Sequence, residues 1–268
     1  VCRIGKTTAL QRQMIGGTSN SIGMAIAPLV ISYLIFHGTP LHDIVTKQFI
    51  IPLIILILIM LIITILVGKT QMPSIDNVRQ VPGEKFDKRV WSFRNLKLGV
   101  WGIFFYVGIE VAVGANVNMY ASELGGSFAS NATHMAALYW GLLLLGRFLG
   151  SFIKQVPSEK QLVIASIGAI VLLVLAMLMA NPWILTLIGF FHSIMWPAIF
   201  TLATDQLGKY TTKASGVLTM GVIGGGIIPL LQGIFADVMG GNWLWTWLLV
   251  IAGEAYILYY GLNGYKQH

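Results

Sequence analysis

The stretch QFIIPLIILILIMLIITILV, residues 48–67, contains no charged side chain. A helix that crosses the hydrocarbon core of a bilayer needs about 20 consecutive apolar residues, and this stretch meets that length. The whole chain has the same character, since 56% of its 268 residues are hydrophobic, 10% are charged and its mean hydropathy is +0.77. Soluble domains carry about 25% charged residues. The composition therefore predicts an all-α polytopic membrane protein and excludes a disordered chain, a disulfide scaffold and a nucleic-acid-binding protein.

Eight such apolar stretches follow one another, so we predict eight transmembrane helices. Their expected bounds are Met14–Phe36, Gln48–Val67, Leu98–Ala121, His134–Ile153, Gln161–Ala180, Pro182–Thr204, Ala214–Val238 and Trp243–Leu262. A polar segment with Pro73, Pro82 and Gly83, rich in basic residues, separates the second stretch from the third and has the composition of a cytosolic linker. We therefore divide the chain into two helices at 1–67, a linker at 68–97 and a six-helix bundle at 98–268.

The basic residues are distributed unevenly across the predicted topology. An even number of spans places both ends of the chain on one side, and that side holds 16 of the 17 lysines and arginines, Lys47 being the exception. Basic residues concentrate in cytoplasmic loops. We therefore expect both termini of the chain to be cytoplasmic in a multi-pass protein of the cell's inner (plasma) membrane. The net charge of +7 then reflects topology and not affinity for nucleic acid.

Ionisable residues inside predicted spans are the first candidates for function, because they are costly in a bilayer and are usually retained for a purpose. Glu110 lies near the middle of the third span and shares a helical stripe with Tyr106 and Gly114, with Asn118 at its edge. One interpretation is a proton or substrate site that faces a cavity. The alternative is a neutral, hydrogen-bonded carboxyl group that locks helices together.

Three further ionisable residues have open interpretations. His192, one turn before Trp196, either titrates with a proton gradient or forms a neutral structural hydrogen bond. For Glu254 in the eighth span we favour a structural role. Arg147 lies close enough to the cytoplasmic end to extend its charged group to the interface, so we expect it to hold a cytoplasmic gate or loop.

Other polar, aromatic and helix-weakening residues complete the candidate site. Asn20 belongs to a polar stripe in the first span, and Gln232 lies in a glycine-rich seventh span of a kind that marks binding sites in secondary transporters. Trp140 and Trp196 offer aromatic faces, which often hold sugars; ordinary packing is the alternative for each. These residues make the chain a candidate carrier of small polar molecules.

Enzyme signatures are missing from the sequence. It contains no HExxH, Walker A or G-x-S-x-G motif and no metal-like Cys/His cluster. We therefore expect no metal, no cofactor and no enzymatic activity. The alternative is a membrane-embedded enzyme in which Glu110 and His192 form an acid–base pair.

Five segments in order resemble the Major Facilitator Superfamily, and in particular its fucose/glucose–galactose:proton symporters. They are Thr18-Ser-Asn20-Ser-Ile-Gly23, Phe105-Tyr-Val-Gly-Ile-Glu110-Val-Ala-Val-Gly114, Leu138-Tyr-Trp-Gly141 with Gly146-Arg147-Phe-Leu-Gly150-Ser151, Met195-Trp-Pro197-Ala-Ile-Phe-Thr-Leu202, and Met220-Gly-Val-Ile-Gly-Gly-Gly226. The resemblance implies helices five and six of a twelve-helix fold, its central linker and its second half. It also implies that four helices, which in the family carry the principal proton-coupling acid, precede Val1.

The resemblance implies proton-coupled uptake of a hexose-type sugar such as fucose, glucose or galactose by alternating access of two helix bundles. It implies a monomer whose partners are a sugar, a proton and the lipid bilayer. The substrate-binding candidates are Asn20, Glu110, Asn118, Trp140, His192, Trp196 and Gln232. Glu110 is also the proton-coupling candidate, or else an acceptor for sugar hydroxyls. The family tends to place a glutamine sugar ligand where this chain has Gly17, so that contact is not expected here.

Overall fold

The computed structural model describes residues 9–30, 50–70, 89–153 and 155–267, and the regular structure of these residues is entirely helical. Short 3₁₀ turns and a terminal π-helical turn join or extend the helices. The α-helices are α1 (Ala9–Leu29), α2 (Ile50–Lys69), α3 (Arg94–Leu124), α4 (Gly126–Ser130), α5 (Ala132–Gly150), α6 (Ser158–Leu178), α7 (Pro182–Ala203), α8 (Thr211–Thr219), α9 (Gly224–Val238) and α10 (Trp247–Tyr259). The predicted all-α class is confirmed.

The chain divides into two compact units. The larger comprises Val1–Ile26 with Phe86–His268, and the smaller is Ala27–Lys85. The helix of the smaller unit, α2, consists almost wholly of isoleucine and leucine and has no buried residue. Isoleucine-rich sequences favour strands in water, but a lipid environment offers no partner for free backbone groups and so favours the self-satisfied helix.

Five helical segments of the described residues are long and apolar enough to cross a membrane. They are Ile50–Lys69, Arg94–Leu124, Ser158–Leu178, Pro182–Ala203 and Gly208–Val238. Multiple spans are thus supported, whereas the count of eight stays a prediction. Residues 31–49, which include the predicted end of the first span, lie outside the described part of the chain, as do residues 71–88 of the predicted linker. The third span begins at Arg94, within the stretch assigned to that linker.

Helix α3 is the centre of the larger unit, where it contacts α5, α7, α9 and α10. Buried positions occur around most of its circumference, as expected for a helix that is enclosed by others. One close approach depends on glycine: a Cβ atom at Gly224 of α9 would overlap the backbone oxygen of Phe104. Small residues of this kind let membrane helices pack backbone to backbone.

The glycine-rich seventh span is not one uniform α-helix. Its first part, α8, passes through a 3₁₀ turn at Met220–Ile223 before α9 begins at Gly224. Pro229 lies inside α9. The turn contributes Val222 to the wall of the cavity described below.

The start of α7 is set by its own sequence. Asn181 precedes the helix, its side-chain oxygen accepts a 3.0 Å hydrogen bond from the backbone N–H of Trp183, and Pro182 occupies the first helical position. Asparagine at the cap and proline directly after it are both favourable, because the first N–H groups of a helix lack intrahelical partners. This cap fixes the position of α7, which carries His192 and Trp196 into the bundle.

Candidate functional site

Glu110 of α3 forms a buried ion pair with Arg147 of α5. The guanidinium Nη2 donates to Glu110 Oε1 over 3.1 Å, and the two side chains are 8% and 7% exposed, respectively. Tyr106, one turn earlier on α3, donates its hydroxyl to the same oxygen over 2.6 Å. Among the described residues, the second carboxyl oxygen of Glu110 accepts no hydrogen bond. The carboxylate is thus held by two donors through one oxygen and keeps the other available.

The guanidinium of Arg147 also reaches α1. Its Nη1 donates to Ser21 Oγ over 2.7 Å and to the backbone oxygen of Gly17 over 3.4 Å. The expectation that Arg147 extends to the membrane interface is not met, because Glu110 and Ser21 offer it buried partners deeper in the bundle. Its assignment to a gate or loop stays a prediction. A Cβ at Gly17 would lie 3.4 Å from Cδ of Arg147, which is an ordinary van der Waals contact, so the backbone of α1 passes close to this side chain.

A cavity of about 440 Å³ lies beside this ion pair. Its wall includes three of the predicted substrate-binding residues, Asn20, Glu110 and Trp196, together with Arg147. Asn20 is exposed, and Trp196 is half-buried with its ring 6.3 Å from that of Tyr106, centroid to centroid. The cavity has the size of a small-molecule site and combines an apolar wall with a few polar groups, as such sites do.

A second polar cluster contains His192 of α7, which does not line this cavity. Its Nε2 lies 2.6 Å from Glu254 Oε1 of α10, and its Nδ1 lies 2.6 Å from the hydroxyl oxygen of Tyr139 of α5. The Tyr139 hydroxyl also lies 3.1 Å from the backbone oxygen of Glu110, to which it can donate. Three helices are therefore connected to α3 through one histidine and one tyrosine.

Gln232 of α9 makes a polar contact on each side of its amide. It accepts from Asn116 Nδ2 over 2.9 Å and donates to Thr246 Oγ1 over 3.0 Å, and it is fully buried. These two partners, Asn116 and Thr246, were not predicted, because they carry no signal in the sequence beyond their polarity. Gln232 thus crosslinks α3 to the segment before α10, and its predicted sugar contact stays a prediction.

The remaining two predicted residues, Asn118 and Trp140, also lie away from the lining of the cavity. Asn118 is half-buried, and its buried Oδ1 has no hydrogen-bond partner among the described residues. Trp140 packs against Gly114 on α3, where a Cβ atom would overlap its ring, and stacks edge-on with Tyr139 at 5.0 Å between centroids. Both roles in substrate binding stay predictions.

The described residues contain no group of three or more His, Cys, Asp or Glu side chains that could hold a metal ion. The buried ionisable side chains Glu110, Arg147, His192 and Glu254 are held by ion pairs and hydrogen bonds between helices.

Fold and site together define a helical protein with several helices apolar enough to cross a membrane, in which a buried ion pair lines a cavity between helices. The sequence profile of the Major Facilitator Superfamily matches residues 12–229, and the chain belongs to that family.

Its relatives include named sugar carriers. A putative glucose/galactose transporter of Helicobacter pylori strain J99 is 34% identical in an alignment that covers 92% of this chain and 64% of the relative. The glucose/galactose transporter of Brucella abortus is 33% identical over 97% of this chain and 65% of its own length. The L-fucose-proton symporter of Escherichia coli is 28% identical over 70% of this chain and 45% of its own length. The chain thus spans about two thirds of the length of the first two relatives.

Among solved structures, the outward conformation of FucP, a Major Facilitator Superfamily transporter, matches 97% of this chain and 69% of its own chain with a TM-score of 0.72. The two sequences are 23% identical, so this match supports the fold alone.

Proposed function

We propose that the protein is a secondary active transporter that takes up a hexose-type sugar together with a proton by alternating access. The observation that carries this proposal is the cavity wall formed by Glu110, Arg147, Asn20 and Trp196. A carboxylate, a guanidinium and an amide offer acceptors and donors for sugar hydroxyls, and the indole offers a flat face. The named relatives carry glucose, galactose or fucose, which agrees with this chemistry.

The proposed architecture has two helix bundles joined by a linker. We infer eight membrane-spanning helices, of which two at 1–67 belong to a first bundle and six at 98–268 form a second, joined by a cytoplasmic linker at 68–97. Both ends of the chain would face the cytoplasm across the inner (plasma) membrane, and the transporter would act as a monomer. The five apolar helical segments and the family membership support a multi-pass topology.

Within this proposal Glu110 binds a sugar hydroxyl through its free carboxyl oxygen. The other oxygen is occupied by Tyr106 and Arg147, so these two donors fix the direction in which the carboxylate points. Preorganised charged acceptors of this kind form hydrogen bonds worth about 1.5–3 kcal/mol. Glu110 also remains the candidate proton carrier. If it accepts a sugar hydroxyl, its substitution by glutamine should weaken sugar binding, and if it carries the proton, the substitution should abolish active accumulation of the sugar.

An embedded enzyme with Glu110 and His192 as an acid–base pair is not favoured. Such a pair must reach one substrate. His192 is fully buried, and its two ring nitrogens face Tyr139 and Glu254. Glu110 is directed to Arg147 and the cavity.

The proposal is tested by counterflow, the exchange of unlabelled internal sugar for labelled external sugar, in liposomes containing the full-length protein. We expect counterflow with glucose, galactose or fucose. Glu110→Gln should weaken sugar binding by about 10- to 100-fold, because a charge-assisted hydrogen bond is lost. Glu123→Gln is the matched control, since Glu123 lies on the same helix, is exposed and contacts the backbone N–H of Trp243. Absence of counterflow for every hexose in the wild-type protein would contradict the proposal.

A further inference from the structure

A groove of about 620 Å³ lies where α3 and α8 begin. One wall is formed by the 3₁₀ turn Val90–Ser92 before α3, and the other by α8 and the start of the turn that follows it. The groove shares no described lining residue with the cavity beside Glu110. We call it the basic groove, because its wall contains Arg89 and Lys213.

Packing between the two walls holds the basic groove in shape. Phe93, the residue before α3, places its ring 5.1 Å from that of Tyr210, centroid to centroid, and Tyr210 is the buried residue before α8. Helices α3 and α8 also contact each other directly. Gly216 of α8 lines the groove, and a Cβ atom there would have no atom within 4 Å. The groove therefore has packed walls and an open mouth.

The charge of the basic groove has one sign. Arg89 and Lys213 are both exposed, and no described residue of the wall is acidic. A second groove near the same end of the bundle differs in this respect, because its wall contains Glu159 beside Lys160. A cleft that is lined by one sign of charge concentrates ions of the opposite sign. The basic groove is therefore suited to an anion, whereas the second groove is balanced.

Most of the rest of the wall is apolar or aromatic. Val217 is half-buried, and the side chains of Trp91 and Met220 are 49% and 64% exposed. Tryptophan is enriched where a membrane meets water, because its ring contacts both the acyl chains and the headgroups. An apolar surface beside two cations fits an amphipathic anion better than a small soluble one.

The basic groove lies at the start of two helical segments that are long and apolar enough to cross a membrane, Arg94–Leu124 and Gly208–Val238. Arg89 precedes the first segment, and Lys213 lies near the start of the second. In the proposed topology both segments start at the cytoplasmic face. Basic pockets between membrane helices on that side bind anionic lipid headgroups.

We propose that the basic groove binds an anionic glycerophospholipid such as phosphatidylglycerol. The phosphate lies between Arg89 and Lys213, and an acyl chain follows Val217 and Met220 beside Trp91. A guanidinium can donate two parallel hydrogen bonds to a phosphate, and an ammonium group adds a compact charge. This inference goes beyond the proposed sugar transport and uses only the proposed membrane topology. A bound lipid connects the end of the linker, at Arg89, to α8.

Tryptophan quenching tests where the lipid binds. The probe is phosphatidylglycerol with brominated acyl chains, which quench the tryptophans that they contact, added to the full-length protein in detergent micelles. We expect strong quenching in the wild type, and Trp91→Phe should lose the component that saturates at the lowest lipid concentration. Brominated phosphatidylcholine has no net charge, so it should need about 30-fold more lipid to quench Trp91 equally.

Substitution of the two cations tests which groups hold the headgroup. Arg89→Gln with Lys213→Gln should weaken binding of phosphatidylglycerol about 30-fold, because each basic residue near an anionic lipid surface contributes about fivefold. The matched control is Lys160→Gln with Lys266→Gln, which removes two cations near the same end of the bundle but outside the basic groove. It should change binding by less than about twofold. All four side chains are exposed, so equal melting temperatures in lipid-free detergent should show that both variants fold.

Three results would overturn the inference. Equal losses in the two double variants would show a general attraction of anionic lipids to the basic face of the protein. Equal quenching of Trp91 by the two brominated lipids would show an ordinary lipid-facing surface without headgroup selection. Displacement of the brominated lipid by inorganic phosphate at constant ionic strength would show a site for a soluble anion. None of these measurements uses a sugar, so absence of counterflow in the wild type would contradict the proposed function alone.

Discussion

The ion pair between Glu110 and Arg147 yields a quantitative prediction, because both partners are more than nine-tenths buried. Removing one member of a buried pair leaves an uncompensated charge and typically costs about 3–5 kcal/mol of stability. We expect Glu110→Gln and Arg147→Met each to cost about 3 kcal/mol, at the low end of that range, because the cavity beside the pair can admit water. Arg147 also keeps its bond to Ser21 when Glu110 is neutralised.

The double variant separates the pair from its individual contacts. Glu110→Gln together with Arg147→Met removes both charges, so its cost should be clearly smaller than the sum of the single costs. The coupling energy should be about 2–3 kcal/mol, as found for residues in one buried network. Unfolding is followed by tryptophan fluorescence in mixed micelles of a mild detergent and SDS. Additive effects in the double variant, or single effects below about 0.5 kcal/mol, would refute the assignment of a desolvated ion pair at this site.

Three further predictions concern the packing that holds the site in place. Gly224→Ala should lower thermal stability and folded yield, because its Cβ would overlap the backbone oxygen of Phe104. Gly226→Ala in the same helix is the control and should be tolerated, because no atom lies within 4 Å of its Cβ. Equal stability of the two variants would contradict the close approach of the helices. Gln232→Leu should cost about 1–3 kcal/mol of stability, because its partners Asn116 and Thr246 would be left unpaired. A loss of sugar binding at unchanged stability would instead favour a direct sugar contact. Asn95→Leu should lower the melting temperature, because the Asn95 amide donates to three backbone oxygens at and after the end of α7. An unchanged melting temperature would show that these hydrogen bonds contribute little to stability.

The sequence was informative about helices because long apolar runs have few alternatives. The predicted spans Pro182–Thr204 and Gln161–Ala180 correspond closely to α7 and α6, since a membrane helix must satisfy its own backbone whatever its neighbours are. The seventh span was noted as glycine-rich for a similarly local reason, because glycine weakens a helix wherever it lies, but the 3₁₀ turn at Met220–Ile223 was not predicted. Three predicted spans are not among the five candidate segments. The fourth and eighth lie on the described helices α5 and α10, and the first runs into residues that the structure does not describe.

The pairing of charged groups was harder to predict, because it depends on how the helices are rotated against one another. Glu110 and His192 stood out as ionisable residues within spans. Glu254 was assigned a structural role since nothing near it in sequence suggested a partner, and His192 lies 62 residues away from it. Arg147 was expected at the interface, but a buried carboxylate on α3 and a hydroxyl on α1 turn it inward. The partner that a buried charged side chain contacts is decided by helix packing, which a single sequence does not reveal.

The measurement that tests the central claim most directly is sugar accumulation by the full-length protein in liposomes under an imposed membrane potential and pH gradient. A proton-coupled carrier should concentrate glucose, galactose or fucose inside, by about 50-fold at 100 mV for one proton per sugar, and dissipation of both gradients should bring the ratio back to one. Sugar that only equilibrates under an imposed gradient, in a preparation that performs counterflow, would contradict proton coupling.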